Sequence, residues 1–241
     1  MNEEDLKYGY WKFYDNNRRE KYDKKYFRNV SEYKGEEEIV LACTQQSKLS
    51  ANEQKKSVQK WCDLFLTEQT GIKKIWITTR ISQKIFDAVC NQKSLDGLWI
   101  KWGGYKDLSC IENLNKLEHL HLGGGGQIES LKPLENLKML KTFESKGLYK
   151  ITNYDFLKNF EKLEDLSLWG DPFSAMKKIN IDSLKFLNSL TEIIRLDLCM
   201  TKIGDKDYKP ILNLPKLKHL TLPRDKDLEE DIGLFSKYLG E

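Results

Sequence analysis

Leucine and its apolar stand-ins return to the same phase of this chain seven times, in the pattern L-x-x-L-x-L. The sets are Ile72-Ile75-Ile77, Leu95-Leu98-Ile100, Leu117-Leu120-Leu122, Leu140-Phe143-Ser145, Leu163-Leu166-Leu168, Ile193-Leu196-Leu198 and Leu217-Leu220-Leu222. Their middle members stand at 75, 98, 120, 143, 166, 196 and 220, so the steps between them are 23, 22, 23, 23, 30 and 24 residues. A period of this length means one structural unit stacked on itself, each copy burying the apolar face that its neighbour leaves open. The functional question then becomes which surface the stack presents.

Within a unit the apolar residues form ladders of period three: Ile111-Leu114-Leu117-Leu120, Leu131-Leu134-Leu137-Leu140-Phe143 and Leu184-Leu187-Leu190-Ile193-Leu196. A continuous α-helix would drift off this register, since its period is 3.6. A short helix or 3₁₀ turn running into a strand keeps these residues on one interior. The closing L-x-L alternates inward and outward as a strand does. Pro133 and Pro210 each lie ten residues before an anchor, where a missing N–H at a helix start costs little. An apolar residue after the strand (Ile128, Ile151, Ile203) turns the chain back under it.

Units such as Leu117-Glu-His-Leu-His-Leu-Gly, continued by Gln127-Ile-Glu-Ser-Leu-Lys-Pro-Leu-Glu-Asn-Leu137, resemble the short leucine-rich repeats of internalin-type bacterial proteins. The resemblance covers about residues 72–225. It implies an α/β leucine-rich repeat solenoid, with a curved parallel sheet on the concave face and short helices or 3₁₀ turns on the convex face. Family repeats carry Asn three residues after the last strand leucine. Here those places hold Gly103, Gly125, Leu148, Asp171, Thr201 and Asp225, which predicts irregular turns along that edge.

Residues 1–71 read as an N-terminal cap and first α/β unit continuous with the solenoid, and 226–241 as a C-terminal cap. Glu37 to Thr44 reads as a strand. Ser50-x-x-Glu53 is a capping box opening a helix with Val58, Trp61, Cys62, Leu64 and Phe65 on its apolar side. A second helix is expected over about Ser82–Asn91, and a short amphipathic one over Leu228–Leu239. Residues 1–35, rich in Tyr, Trp and basic side chains, are expected to cover an end of the stack, because solenoid ends expose core.

The net charge of +3 comes from 40 basic and 37 acidic residues that are well mixed, whereas a nucleic-acid binder shows a segregated basic stripe. The amino-terminal sequence lacks the basic start and apolar core of an export signal, and no apolar run is long enough to span a membrane. The five cysteines lack metal-ligand spacing and read as reduced thiols. Together these features predict a cytoplasmic monomer without membrane contact.

The period also predicts which side chains leave the sheet on its concave side. The central column is Trp76, Trp99, His121, Glu144, Ser167, Asp197 and Thr221. The column before it is Lys74, Gly97, His119, Thr142, Asp165, Arg195 and His219. The column after it includes Lys101, Gly123, Lys146, Trp169 and Cys199. Tryptophan and histidine clusters mark binding surfaces. The expected partner-binding residues are therefore Trp76, Trp99, Lys101, Trp102, His119, His121, Glu144, Trp169, Phe173, Arg195, Asp197 and His219, with the loop at 169–176 marked by the long fifth step. The competing expectation is that the N-terminal segment covers Trp76 and Trp99. His119 and His121 share a face, but only Glu144 stands near as a third ligand, so no metal is expected. Gly123–Gly126 lacks phosphate-loop spacing and reads as a tight exit from a strand. No cofactor is expected.

These features point to a non-enzymatic module that binds a protein through its concave face, with an inhibitor or immunity-type protein against a toxin as one version. The alternatives are a nucleic-acid or phosphate-ligand binder using Lys74, Lys101, Lys146 and the tryptophans, and an enzyme using Cys199 or the His119/His121 pair.

Overall fold

In the computed structural model, which describes residues 6–12, 26–171, 176–223, 228 and 232–238, nine strands form one parallel sheet. In spatial order they are β1 (Tyr26–Phe27), β2 (Glu38–Leu41), β3 (Lys74–Ile77), β5 (Gly97–Ile100), β7 (His119–Leu122), β8 (Thr142–Lys146), β9 (Asp165–Trp169), β11 (Arg195–Asp197) and β13 (His219–Thr221). The middle leucine of each repeat pairs with the next: Ile75 with Leu98, Leu98 with Leu120, then Phe143, Leu166, Leu196 and Leu220. All of them are buried, and they continue one core from end to end. This is the solenoid that the repeat predicts.

The period-three ladders have a hydrogen-bonded cause. Leu108 C=O accepts from Ile111 N–H, Ile111 C=O from Leu114 N–H, and Leu114 C=O from Leu117 N–H. The same i to i+3 chain runs through Leu131, Leu134, Leu137 and Leu140, and through Tyr154, Leu157, Phe160 and Leu163. Three residues per turn holds every rung toward the core. The convex side is accordingly built of 3₁₀ turns, at Ser109–Asn113, Lys132–Asn136, Asp155–Asn159, Lys185–Ser189 and Lys209–Asn213. Pro133 and Pro210 stand at the first positions of theirs.

The front units use longer helices. Helix α1 (Ala51–Thr67) opens on the reciprocal Ser50–Glu53 capping box and buries Trp61, Cys62 and Phe65. Helix α2 (Gln83–Val89) packs beside it. The edge that lacks asparagines carries two small parallel ladders instead. One joins β4 (Ile81–Ser82) to β6 (Gly103–Gly104), and the other joins β10 (Ile179–Ile181) to β12 (Thr201–Ile203). At the carboxy-terminal end, Ile232–Phe235 is a 3₁₀ turn with Phe235 buried, where an amphipathic helix was expected over a longer stretch.

The N-terminal segment follows the competing expectation at Trp76 and departs from that of an end cap over residues 6–12. Tyr26–Phe27 adds an edge strand beside β2. Residues 6–12 do not cover an end of the stack. They lie across the concave face, where Leu6, Tyr10 and Trp11 form a second apolar cluster with Val40 and Trp76.

Candidate functional site: the concave face and its rim

Strand pairing places the predicted columns side by side. Lys74, Gly97, His119, Thr142, Asp165, Arg195 and His219 are in register, as are Trp76, Trp99, His121, Glu144, Ser167, Asp197 and Thr221. The strap Leu6–Lys12 crosses the first column. Tyr10 stacks on His119 with ring centroids 3.6 Å apart and planes 8° from parallel. Trp11 meets Trp76 edge to face at 5.6 Å. It fits there because Gly97 has no side chain: a Cβ at that position would lie 3.2 Å from Trp11 Cη2. Gly9, at φ +86°, passes directly over Arg195 and Glu144.

Beneath the strap lies a buried ionic network. Arg195 donates to Asp165 Oδ1 at 2.9 Å, to Ser167 Oγ at 2.5 Å and to Asp197 Oδ2 at 2.7 Å. The backbone N–H of Tyr10 donates to the other Asp165 oxygen at 2.9 Å, so the strap completes this carboxylate's hydrogen bonding. Loss of hydration pushes the Asp165 carboxyl up to about 6, against the opposing pull of Arg195. His121 Nδ1 lies 3.1 Å from Glu144 Oε2, and its ring stacks on Trp99. His119 is held neutral: burial, with Lys74 and Lys141 nearby, pushes it down to about 3.

Three of the expected partner-binding residues are therefore interior. Trp76 is 4% exposed, Arg195 6% and Asp197 5%. They cannot meet a partner while the strap is in place, which corrects the expectation of a free concave floor. Trp99, His119, His121 and Glu144 are half-buried along the same path. Trp102 (39% exposed) and Lys101 stand clear, and Trp169 and His219 are partly open. Phe173 lies outside the described residues. Met176 is exposed, and the long fifth step closes through an antiparallel bridge between Asp171 and Lys177.

At the carboxy-terminal ends of the strands is a groove of about 580 Å³, lined by Lys101, Trp102, Gly124, Gly126, Lys146 and Tyr149, among others. The four-glycine run forms part of its floor. Close strand packing explains most of that run. A Cβ on Gly123 would sit 2.1 Å from Lys101 O, one on Gly125 2.5 Å from Leu148 Cδ2, and Gly124 has φ +65°.

No known family profile matches the sequence, and no curated protein matches it. Solved structures do match. Internalin F of Listeria monocytogenes superposes with a TM-score of 0.54 at 21% identity, over 69% of this chain and 46% of that one. The fold is that of a leucine-rich repeat solenoid. Internalin C2 of the same organism gives 0.49 at 21% identity over 66% and 67% of the two chains. The plant peptide hormone receptor RGFR1, solved in complex with RGF2, gives 0.48 at 17% identity over 70% and 26%. The chain spans about two thirds of internalin C2 and less than half of internalin F.

Among the described residues no group of three His, Cys, Asp or Glu side chains is placed to hold a metal ion. Arg195 is already engaged by two carboxylates and Ser167, so its charge is not available to stabilise a Cys199 thiolate. Cys43, Cys62 and Cys90 are buried, and desolvation raises all three thiols. No helix among the described residues is long and apolar enough to cross a membrane.

Sequence reasoning missed the strap residues Gly9 and Tyr10 and the groove residue Tyr149. Two signals were present. One is the run Tyr8-Gly9-Tyr10-Trp11, and the other is a bare Gly97 in a column of larger side chains.

Proposed function

We propose that this leucine-rich repeat chain is a non-enzymatic protein-binding module, and that the partner meets the part of the concave face left open by the strap. The observation that carries this reading is the strap itself. The sheet already holds a stretch of polypeptide by ring stacking, apolar burial and a main-chain hydrogen bond to Asp165. These are the interactions by which such a face takes up peptide from another protein. Lys101, Trp102, Trp169 and His219 would form the contact surface, while Trp76, Arg195 and Asp197 support the strap. The narrower reading, an immunity-type inhibitor, gains no observation from the structure.

The test has two stages. A partner is captured from the native cells, purified, and recombined with the intact chain. Hydrogen exchange then maps the protected amides, and Trp102→Ala and Lys101→Glu are assayed for affinity. Protection along the strand ends at 101–102, 146 and 169, with at least about a tenfold loss in one variant, is expected for a hot spot. Protection confined to the convex turns, with both variants binding as the parent does, contradicts the reading.

A further inference from the structure

We propose that the groove at the carboxy-terminal rim binds an acidic peptide segment, its carboxylates seated between Lys101, Arg80 and Lys177. The proposal rests on the protein-binding reading and names the chemistry of the segment bound.

The first argument is charge. Lys101 lines the groove, and Arg80 and Lys177 flank it over the rings of Trp102 and Tyr149, at 5.7 and 4.0 Å from the centroids. None of these three cations pairs with a carboxylate among the described residues. The acid in the lining, Asp171, is engaged by Lys146 at 3.3 Å. Clustered cations of this kind attract carboxylates and raise the rate of encounter with an acidic partner.

The second argument is the floor. Gly124 and Gly126 line the groove, and their N–H groups donate to no group among the described residues. Gly124 has a positive φ, and Gly126 bears no side chain to shield its backbone. N–H groups without an acceptor, on residues that share a groove with a lysine, suit a carboxylate, which accepts at two oxygens.

The third argument separates peptide from nucleic acid. Single strands bind by stacking bases on open aromatic faces. Here one face of each ring is already taken by a cation. Lys177 covers one side of Tyr149, and a Cβ added at Gly126 or Gly147 would meet the ring at 3.4 Å, so both glycines stand close to it. Arg80 covers Trp102. Each ring holds a cation over a face that a stacked base would need.

The experiment measures fluorescence anisotropy of labelled hexaglutamate with the intact chain at low salt, against an oligothymidylate of the same charge. The expected result is binding that weakens about tenfold or more in Lys101→Glu. Gly126→Val should do the same, because its branched side chain rises into the groove at a position where a Cβ meets nothing closer than 3.4 Å. Lys138→Glu, at an exposed position beside the convex turn Lys132–Asn136, should bind as the parent does, and circular dichroism checks that each variant is folded. Oligothymidylate binding as tightly as hexaglutamate overturns the proposal in favour of a nucleic acid. No hexaglutamate binding, or binding indifferent to Lys101→Glu, overturns it outright. If hexaglutamate fails while the purified partner still binds, the acidic-segment proposal falls and the protein-binding reading stands.

Discussion

The amino-terminal and carboxy-terminal halves of the concave strands are built from the same repeat and differ in almost everything else. The first half is covered: Tyr10 and Trp11 lie on His119 and Trp76, and Arg195 balances two buried aspartates underneath. The second half is open and edged with Lys101, Arg80 and Lys177, which pair with no carboxylate among the described residues. The repeat fixes only where a side chain leaves the sheet. Whether that side chain then supports structure or meets a partner depends on what lies over it. Buried polar groups must be satisfied within the chain, and open ones need not be.

The largest effect should come from the covered half. Arg195→Met leaves Asp165 and Asp197 buried without their counter-charge, and breaking such a pair costs about 3–5 kcal/mol. Urea unfolding measures it, and a loss below about 1 kcal/mol would mean that water reaches the network. Next, Gly97→Val fills the notch that admits Trp11, where a Cβ already meets Lys74 Cγ at 2.9 Å. The expected cost is about 1–3 kcal/mol, with a red shift in tryptophan emission as Trp11 and Trp76 meet water.

Acid should act on the same half, through groups of opposite sign. His119 stays neutral in the folded chain down to about pH 3 but takes a proton near pH 6.5 once unfolded, so its contribution is lost as pH falls below about 6.5. Asp165, pushed up to about 6 when folded, gains stability as pH falls from about 6 toward 4. Asp197, raised by burial, acts with Asp165; the His119 displacement is the largest of the three, and the expected trend is lower stability toward acid. In His119→Gln that trend should shrink or reverse. The smallest stability effect belongs to the open half. Lys101→Ala and Trp102→Ala should each change unfolding free energy by about 0.5 kcal/mol or less, because neither fills an interior space. A larger loss would mean that the rim is part of the framework.

The solenoid was legible because its cause is local. One leucine phase sets both the i to i+3 turns and the strand register, and the columns at Trp76 and Lys74 fell where the period puts them. Cover over Trp76 was legible only as the competing expectation, and the course of the strap was not, since its contacts join Tyr10 to Asp165 across 155 positions and no period links them. An exposed Trp99 and a covered one have the same sequence neighbourhood. The groove was hidden for a similar reason. Arg80, Lys101, Tyr149 and Lys177 come from separate repeats, and only the stacking of units brings them together.

The most direct measurement is the NMR titration of His119 in the intact chain and in Tyr10→Ala. With the strap seated over a buried imidazole, His119 in the parent should show no titration between pH 5 and 8, and Tyr10→Ala should move it back toward 6.5. A parent His119 that titrates near pH 6.5, unaffected by the substitution, would contradict a covered first half and remove the contrast on which the functional reading rests.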